Sequence, residues 1–329
     1  MRICLVTPAA PGSLKGNRVT AERWARFLSE LGHHVELAID YYDQECDLLL
    51  AMHAFKSYPA IRRFRDQRPA DPVILALTGT DLYGDIRERG PAAEALELAT
   101  RLVLLQPLGC LELPAHMRDK ARVIYQSVAP PTSTSPTQGG SFDICVMGHL
   151  RPVKDPFRTE QAARLLPDSS RVKVLHVGAA LSADMGTQAR AAMASNRRYA
   201  WLGELPRTEA LQLLSRCRLL ALTSTMEGGA NVISEAVALD VPIVSSRIAG
   251  SIGLLGEDYP GYFPLGDTKA LADLLLRAET NNEFYNRLAD CCRQRRPLFD
   301  PDRERQSLQD LLKELVADDM ATALGHPKL

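Results

Sequence analysis

The stretch 223-TSTMEGGANVISEAVALDVPIVSS-246 contains, in this order, the end of an apolar strand, a glycine loop, a helical pattern and a second apolar strand. The first strand ends near Thr223, and Asn231 is expected to cap a helix from Val232 to about Leu239. A strand, a crossover helix and a second strand indicate a parallel sheet covered by helices. The glycine loop is then expected at the carboxyl end of its strand, where such sheets bind ligands.

Short runs of Val, Ile and Leu alternate with helical patterns along the whole chain. Near-continuous apolar runs are typical of parallel strands, because both faces of their sheet are covered. The runs lie at residues 2–7, 34–39, 47–52, 73–78, 102–105 and 122–125 in the first half and at 142–147, 172–177, 218–223 and 242–246 in the second half. The clearest helix carries Trp24, Phe27, Leu28 and Leu31 on one face and ends at Gly32.

The composition changes at 129-APPTSTSPTQGG-140, which has no hydrophobic periodicity and predicts a linker. The chain is therefore expected to form two doubly wound, Rossmann-like domains that face a central cleft. The predicted boundaries are a first domain at 1–130, a linker at 131–141, a second domain at 142–300, and a C-terminal helix and tail at 301–329 that return to the first domain.

Composition excludes several functional classes. With 329 residues, 46% of them hydrophobic, and a net charge of -1, the chain is neither disordered nor a typical nucleic-acid binder. Its seven cysteines include no Cys-x-x-Cys pair, so we interpret them as reduced, structural thiols. No apolar run approaches the roughly 18 residues of a membrane span, and the N-terminus lacks a signal-peptide pattern. We therefore expect a cytoplasmic protein without a membrane span; the oligomeric state stays open.

Two carboxylates bracket the glycine loop and the helix that follows it. Glu227 lies in the loop, and Glu235 lies about one turn into the helix. Backbone N–H groups at a helix start favour a phosphate, whereas carboxylates accept the hydroxyl groups of sugars. The two glutamates taken alone are better explained as a solvated loop residue and an exposed helical residue. Together with the cations described next, they indicate a site for a nucleotide sugar.

The turn 148-GHLRPVKDP-156 follows the first strand of the second half and supplies two cations, Arg151 and Lys154. Asp155 is expected to cap the next helix. A diphosphate leaving group needs positive charge, and the one Asp-x-Asp sequence, at 300–302, is better explained as a helix cap than as a metal site. We therefore expect Arg151, Lys154 and a helix N-terminus, and no metal or cofactor, to stabilise the leaving group.

The second half resembles retaining glycosyltransferase family 4. The resemblance lies in the turn at 148–156, in 200-AWLGELPRTEALQLLSRCRLLALTS-224, and in Glu227 and Glu235 separated by seven residues. It implies an α/β GT-B fold in which the second domain binds a nucleotide sugar and the first binds the acceptor. The chain departs from the usual pattern at Gly229 and Ala230, where an aromatic residue and a glycine are common.

The same resemblance implies roles for individual residues. Arg151 and Lys154 would bind the donor diphosphate and act with Glu227 as the catalytic residues. Glu227 would position the sugar without acting as a nucleophile, Glu235 would hold the ribose, and the segment after Gly203 would hold the base. The whole donor set is Arg151, Lys154, Gly203, Glu227, Gly228, Gly229, Ala230, Asn231, Val232 and Glu235.

The first half contains a second candidate anion site, in the loop 8-PAAPGSLKGNRVTAERW-24. The loop lacks the three-glycine spacing of a dinucleotide fingerprint but carries two cations beside its glycines. Other residues expected at the same edge of the sheet are polar and form no aromatic cluster, which favours a small anionic acceptor. The acceptor set is Lys15, Gly16, Asn17, Arg18, His53, Thr78, Gly79, Thr80 and Asp81; many family members carry His at the position of Thr78.

A narrower resemblance concerns 5-LVTPAAPGSLKGNRVTAERWARFLSELGHHV-35 together with 76-ALTGTDLY-83. Both resemble the selenosugar synthases of selenoneine biosynthesis. That resemblance implies transfer of a sugar from a UDP-sugar, usually UDP-N-acetylglucosamine, to selenophosphate with release of UDP, followed by loss of the phosphate. A selenolate is ionised at neutral pH, so the reaction needs no protein nucleophile.

Other functions stay open. One is an ordinary family 4 transferase with a sugar, thiol or lipid acceptor. For a lipid acceptor, the arginines of 58-YPAIRRFRDQR-68 could face anionic lipid, although a solvated, salt-bridged helix face explains them better. Another is a UDP-sugar epimerase on the same fold. A nicotinamide-dependent dehydrogenase is a weaker alternative, and a non-enzymatic sugar-nucleotide sensor also stays open.

Overall fold

The computed structural model describes residues 1–88, 90–129 and 140–323, with side chains described up to residue 317. The chain forms two compact units. One consists of Met1–Gln126 with Asp300–Leu329, and the other of Ser127–Phe299. Most of the predicted linker at 131–141, and the end of the predicted tail, lie outside the described residues.

The first unit contains a six-stranded parallel sheet with strand order β2-β1-β3-β4-β5-β6. Its strands are β1 (Arg2–Val6), β2 (His34–Ala38), β3 (Leu48–Met52), β4 (Val73–Leu77), β5 (Arg101–Leu104) and β6 (Ala121–Val123). Between them lie α1 (Gly16–Glu30), α2 (Tyr58–Gln67), α3 (Thr80–Tyr83), α4 (Pro91–Leu98) and short 3-10 turns at Asp85–Arg87, Pro107–Glu112 and Ala115–Lys120. All six strands predicted for the first half are confirmed.

The second unit repeats this architecture, with strand order β12-β11-β10-β7-β8-β9. Its strands are β7 (Phe142–Met147), β8 (Val172–Val177), β9 (Tyr199–Trp201), β10 (Leu219–Leu222), β11 (Ile243–Ser246) and β12 (Tyr262–Phe263). Its helices are α5 (Arg158–Arg164), α6 (Ala183–Ser195), α7 (Arg207–Arg216), α8 (Asn231–Ala238), α9 (Ala249–Leu255), α10 (Thr268–Thr280) and α11 (Asn282–Arg295), with 3-10 turns at Pro152–Lys154 and Arg296–Phe299. The four predicted strands are present, and the edge strands β9 and β12 are additional.

The last helix, α12 (Pro301–Ala323), belongs to the first unit. Its apolar residues lie in one buried cluster with α1 and the sheet: Leu308, Leu311, Leu312 and Leu315 share that cluster with Trp24, Phe27 and Leu28. The predicted cap before this helix is confirmed, because the Asp300 carboxylate accepts a hydrogen bond from the backbone N–H of Asp302 at 2.8 Å. None of the helices in the described ranges has the length and apolar character that a membrane crossing requires.

The end of α1 shows how closely local sequence determines local structure. Gly32 follows the helix with φ +86°, a conformation that favours glycine. Its N–H donates to the Ser29 carbonyl, and the N–H of His33 donates to the Leu28 carbonyl at 3.1 Å. This pair of bonds is a Schellman motif, as the position of the glycine predicts.

Two predicted helix caps are wrong. Helix α8 begins at Asn231 itself, its N-cap is Ala230, and no side chain caps it. Asp155 lies in the left-handed region at φ +41°, and α5 begins only at Arg158. The Asp155 carboxylate instead binds Arg158 Nε at 2.7 Å, because the 3-10 turn at Pro152–Lys154 interrupts the path from β7 to the helix.

Candidate functional site

The strand order of the second unit reverses between β7 and β10, and open α/β sheets bind ligands at such a switch point. The loops that follow these two strands are bonded to each other. Thr223 Oγ1 donates to the backbone carbonyls of Lys154 and Asp155 at 3.0 and 2.9 Å. The N–H of Thr225 donates to the Val153 carbonyl at 2.9 Å. The two predicted donor segments therefore form one site.

Lys154 and Glu227 meet at the centre of this site. The Lys154 ammonium group forms an ion pair with the Glu227 carboxylate, which also accepts a hydrogen bond from Ser224 Oγ at 2.6 Å. Only 20% of the Lys154 side chain and 10% of the Glu227 side chain are exposed, so the pair is largely shielded from water. Arg151, in the same turn, is exposed and contacts no charged or hydrogen-bonding side chain in the described ranges. The turn thus offers one paired and one free cation.

Two glycines that the sequence analysis did not select shape the site. A Cβ on Gly250 would lie 2.1 Å from the carbonyl oxygen of Glu227. A Cβ on Gly178, which has φ +151°, would lie 2.0 Å from the carbonyl oxygen of Gly148. Real contacts are never this short, so both positions require glycine. The signal available in the sequence was a glycine just after a strand or at a helix start.

The start of α8 presents free backbone donors beside the glycine loop. The N–H groups of Asn231 and Val232 have no acceptor within the described ranges, whereas that of Ile233 bonds to the Ala230 carbonyl at 2.9 Å. Asn231 Oδ1 is buried without a hydrogen-bond partner. Of the preceding loop, Gly228 and Ala230 are buried and Gly229 is half-buried. A helix start with free N–H groups is a favourable place for a phosphate.

Glu235 lies in the second turn of α8, and 5% of its side chain is exposed. One of its carboxylate oxygens lies 2.7 Å from Arg207 Nη1, and Arg207 is the first residue of α7. Arg207 was not predicted from the sequence, although it follows Gly203 within the segment expected near the base. Gly203 itself has φ +71°, and its carbonyl accepts a hydrogen bond from the N–H of Gly178 at 2.7 Å.

A buried histidine, His176, stabilises the start of the turn that follows β7. His176 Nε2 lies 3.1 Å from the carbonyl oxygen of Gly148, and its Nδ1 lies 3.0 Å from the Tyr199 hydroxyl. Burial lowers the pKa of His176 from 6.5 to about 4. The imidazole is therefore neutral at physiological pH and connects the ends of β7, β8 and β9.

In the first unit the strand order reverses between β1 and β3, and the predicted acceptor residues follow β1, β3 and β4. Asp81 is fully buried, and its carboxylate accepts hydrogen bonds from the N–H groups of Ala54, Thr78 and Gly79 at 3.0, 2.9 and 2.7 Å. Its oxygens are thus used to hold two loops together. Gly79 has φ +145°, which explains why the loop needs glycine there.

His53, which follows β3, also helps to hold the loops after β3 and β4 together. It is buried, has φ +76°, and its Nε2 lies 3.2 Å from the Thr80 hydroxyl. Burial lowers the pKa of His53, and the nearby Asp81 carboxylate only partly opposes that effect. His53 is therefore a neutral side chain under the loop, whereas Thr80 is exposed and Thr78 is half-exposed.

The loop after β1 and the first turn of α1 contain several donors without a partner in the described residues. Helix α1 begins at Gly16, and the N–H groups of Gly16 and Asn17 have no acceptor in the described part of the chain. Arg18 is 9% exposed; its Nε binds Glu22 at 2.7 Å, but its Nη1 is buried without a partner. Lys15 is exposed. This group of donors is suited to an anion.

Metal ligands do not come together in the described ranges. No group of three or more His, Cys, Asp or Glu side chains there would hold a metal ion. Asp302 of the Asp-x-Asp sequence pairs with Arg305 at 2.9 Å. The expectation that the protein works without a metal stays a prediction.

Residues 133–295 match the family model of glycosyl transferases group 1. No curated protein matches the chain. Among solved structures, HepE of Anabaena in complex with UDP and glucose has a TM-score of 0.74 and 16% identity, and the match covers 95% of this chain and 100% of that chain.

Two further solved structures are similar to the chain over almost its whole length. Sucrose-phosphate synthase from Thermosynechococcus elongatus has a TM-score of 0.76 and 15% identity, with 96% of this chain and 99% of that chain covered. A glycosyltransferase from Rickettsia africae has a TM-score of 0.72 and 13% identity, with 96% and 98% covered. At these identities the likeness is one of fold, and it confirms the predicted GT-B class of two doubly wound, parallel-sheet units.

Proposed function

We propose that this chain, whose residues 133–295 match the family model of glycosyl transferases group 1, is a GT-B glycosyltransferase that uses a UDP-sugar as donor and selenophosphate as acceptor. The observation that carries the proposal is the pairing of Lys154 with Glu227 at the switch point of the second unit, beside the free N–H groups that begin α8. The donor sugar we propose is N-acetylglucosamine.

The proposed binding of the donor rests on the cations and backbone N–H groups of the second unit. The diphosphate would be bound by Arg151, by Lys154 and by the N–H groups of Asn231 and Val232. When the phosphates approach Lys154, they compete with Glu227 for its ammonium group, which frees the Glu227 carboxylate for the sugar hydroxyls. The cations then stabilise the negative charge that develops on UDP as it leaves. No metal or other cofactor is required by this scheme.

The acceptor half rests on the loop after β1. Arg18 Nη1 is a buried, charged donor without a partner, and such a group is costly unless a ligand or a rearrangement satisfies it. Lys15 and the N–H groups of Gly16 and Asn17 add further donors. A small anion with several oxygens suits this set, and selenophosphate is such an anion.

The proposed reaction is a single substitution at the anomeric carbon. The selenium of selenophosphate forms a bond to that carbon while the bond from the carbon to the diphosphate oxygen breaks, and the electron pair leaves on UDP. Because selenium supplies the nucleophile in ionised form, the protein has to align the two substrates and stabilise UDP. Glu227 acts in this scheme by positioning the sugar.

Purified protein, UDP-N-acetylglucosamine and selenophosphate in the presence of EDTA test the proposal. We expect release of UDP and a product whose mass corresponds to a selenium-linked sugar phosphate or, after hydrolytic loss of the phosphate, to the selenosugar itself. Arg18→Ala should raise the KM for selenophosphate by about tenfold or more, as expected for loss of a charged hydrogen bond, whereas Arg26→Ala on the same helix should not. Arg26 is the matched control because 61% of its side chain is exposed.

Other outcomes of this assay identify the alternatives. Conversion of the UDP-sugar without an acceptor selects the epimerase, and turnover with a sugar or thiol but not with selenophosphate selects an ordinary family 4 transferase. Binding without turnover selects a sensor. A lipid acceptor is disfavoured by the arginines of α2, since Arg62 pairs with Glu94 and Asp66, and Arg65 donates to the backbone carbonyls of its neighbours.

A further inference from the structure

The pair between Arg207 and Glu235 differs from the fully buried pair between Arg23 and Glu304. The Glu304 carboxylate accepts two hydrogen bonds from Arg23 and one from Trp24, so its oxygens are used within the protein. Glu235 has an ion pair with Arg207 at 2.7 Å, and no side-chain hydroxyl, amide or backbone N–H in the described ranges donates to its carboxylate. Its oxygens therefore keep free lone pairs.

Arg207 occupies a position that helix electrostatics disfavour. It is the first residue of α7, where the helix dipole is positive and acidic residues are preferred. Its guanidinium has no other charged or hydrogen-bonding contact in the described part of the chain, and 36% of its side chain is exposed. Arg207 thus keeps a positive charge where the helix disfavours one, and its one ionic partner is Glu235. We therefore interpret its role as holding the Glu235 carboxylate in place.

Glu235 needs such a cation. With 5% of its side chain exposed, its carboxylate has lost most of its contact with water. A buried carboxylate requires a countercharge, and one that accepts ligand hydroxyls must also keep a fixed orientation. Arg207 approaches one oxygen and satisfies both conditions without occupying the remaining lone pairs.

We infer that Arg207 is a positioning residue that orients Glu235 to accept the two hydroxyl groups of the donor ribose. The inference rests on the proposed function, since it concerns the nucleotide of the same donor site. Arg207 thereby makes the site selective for a ribonucleotide over a nucleotide that lacks those hydroxyls. Selectivity is the property that separates this role from a purely structural ion pair.

Calorimetric titration of UDP and of 2′,3′-dideoxy-UDP into the full-length protein tests the inference. The wild-type protein should prefer UDP, and Arg207→Gln should reduce the ratio of the two affinities by roughly tenfold, the size of one charged hydrogen bond. Arg207→Lys should give an intermediate ratio, because lysine keeps the charge without the planar fork. Arg197→Gln is the control, since that side chain is 78% exposed and pairs with an exposed Asp168.

Each result has a separate meaning. If the wild-type protein does not bind UDP, the proposed function fails. If Arg207→Gln weakens both nucleotides equally, the pair is structural and the inference is wrong, while the proposed function stands. If Arg207→Gln does not fold, Arg207→Lys decides, and a wild-type affinity ratio in that variant overturns the inference.

Discussion

His176 couples the stability of the second unit to pH. Its pKa is 6.5 in the unfolded chain and about 4 in the folded protein, because burial disfavours the charged imidazole. Between these two values the unfolded chain binds one more proton, so stability rises with pH across this window. The full effect is about 3 kcal/mol, lost as the pH falls from 6.5 to about 4.

Urea unfolding of the wild-type protein and of His176→Gln at several pH values measures this effect. We expect the stability of the wild-type protein to fall steeply below pH 6.5 and that of His176→Gln to change less with pH, although the variant starts from a lower value. His116→Gln is the control, since 68% of that side chain is exposed. Equal slopes for the wild-type protein and His176→Gln would show that the acid sensitivity has another source.

Residue types and spacing predicted that the selected side chains of the second unit lie close together, but they did not predict how those side chains are bonded. Lys154 and Glu227 were selected as separate ligands of the donor, yet they bind each other. Arg207 was missed because its partner is 28 positions away in the chain, and no local pattern reports such a distant contact. Asn231 was expected to cap a helix, but its position inside the first turn removes that possibility.

At the scale of elements, apolar runs predicted every long strand. The strands that were missed, β9 and β12, have three and two residues and form the edges of the second sheet. Each pairs on one side only, so it needs few residues and no continuous apolar run. Their existence depends on the neighbouring strand, which is information that the local sequence does not contain.

The contact between α9 and the loop after β10 gives an element-scale prediction. Gly250→Ala places a methyl group 2.1 Å from the Glu227 carbonyl oxygen, so the loop or the helix has to move. Overpacking of this kind costs about 1–3 kcal/mol, and the displaced loop should also lower the affinity for the proposed UDP-sugar donor. Chemical denaturation and donor titration of the variant measure the two effects.

Gly186→Ala is the matched control for that substitution. Gly186 also lies inside a helix, α6, but the nearest atom to an added Cβ is 3.4 Å away. Alanine should therefore stabilise α6 by up to about 1 kcal/mol and leave donor affinity unchanged. A Gly250→Ala variant that behaves like Gly186→Ala would mean that the loop is not held by α9.

For the molecule as a whole, the two sheets follow one plan. In each unit the first strand lies inside the sheet, the order reverses beside it, and cations follow its carboxyl end. The alternation of strands and helices predicted this plan because each apolar run had to be covered on two faces. The division of the first unit into two distant chain segments is a separate feature, and it makes the last helix part of the first core.

Because α12 comes from a distant part of the chain and packs in the core of the first unit, we expect it to contribute strongly to the stability of that unit. The Glu304 side chain is fully buried, and its carboxylate accepts hydrogen bonds from Arg23 at 2.8 and 3.1 Å and from Trp24 at 2.6 Å. Glu304→Gln would leave the Arg23 guanidinium buried without a countercharge. Removing one partner of a buried pair costs about 3–5 kcal/mol.

Glu314→Gln on the same helix is the control, because 38% of that side chain is exposed and its pairs with Arg122 at 2.8 Å and with Arg101 at 3.6 Å are worth at most about 1 kcal/mol each. The protein has two tryptophans, Trp24 in the first unit and Trp201 in the second, so a Trp201→Phe background reports the unfolding of the first unit alone. In that background, urea unfolding followed by fluorescence should show a large loss for Glu304→Gln and a small one for Glu314→Gln. Equal, small losses would mean that the apolar contacts of α12 hold the first unit together without the buried ion pair.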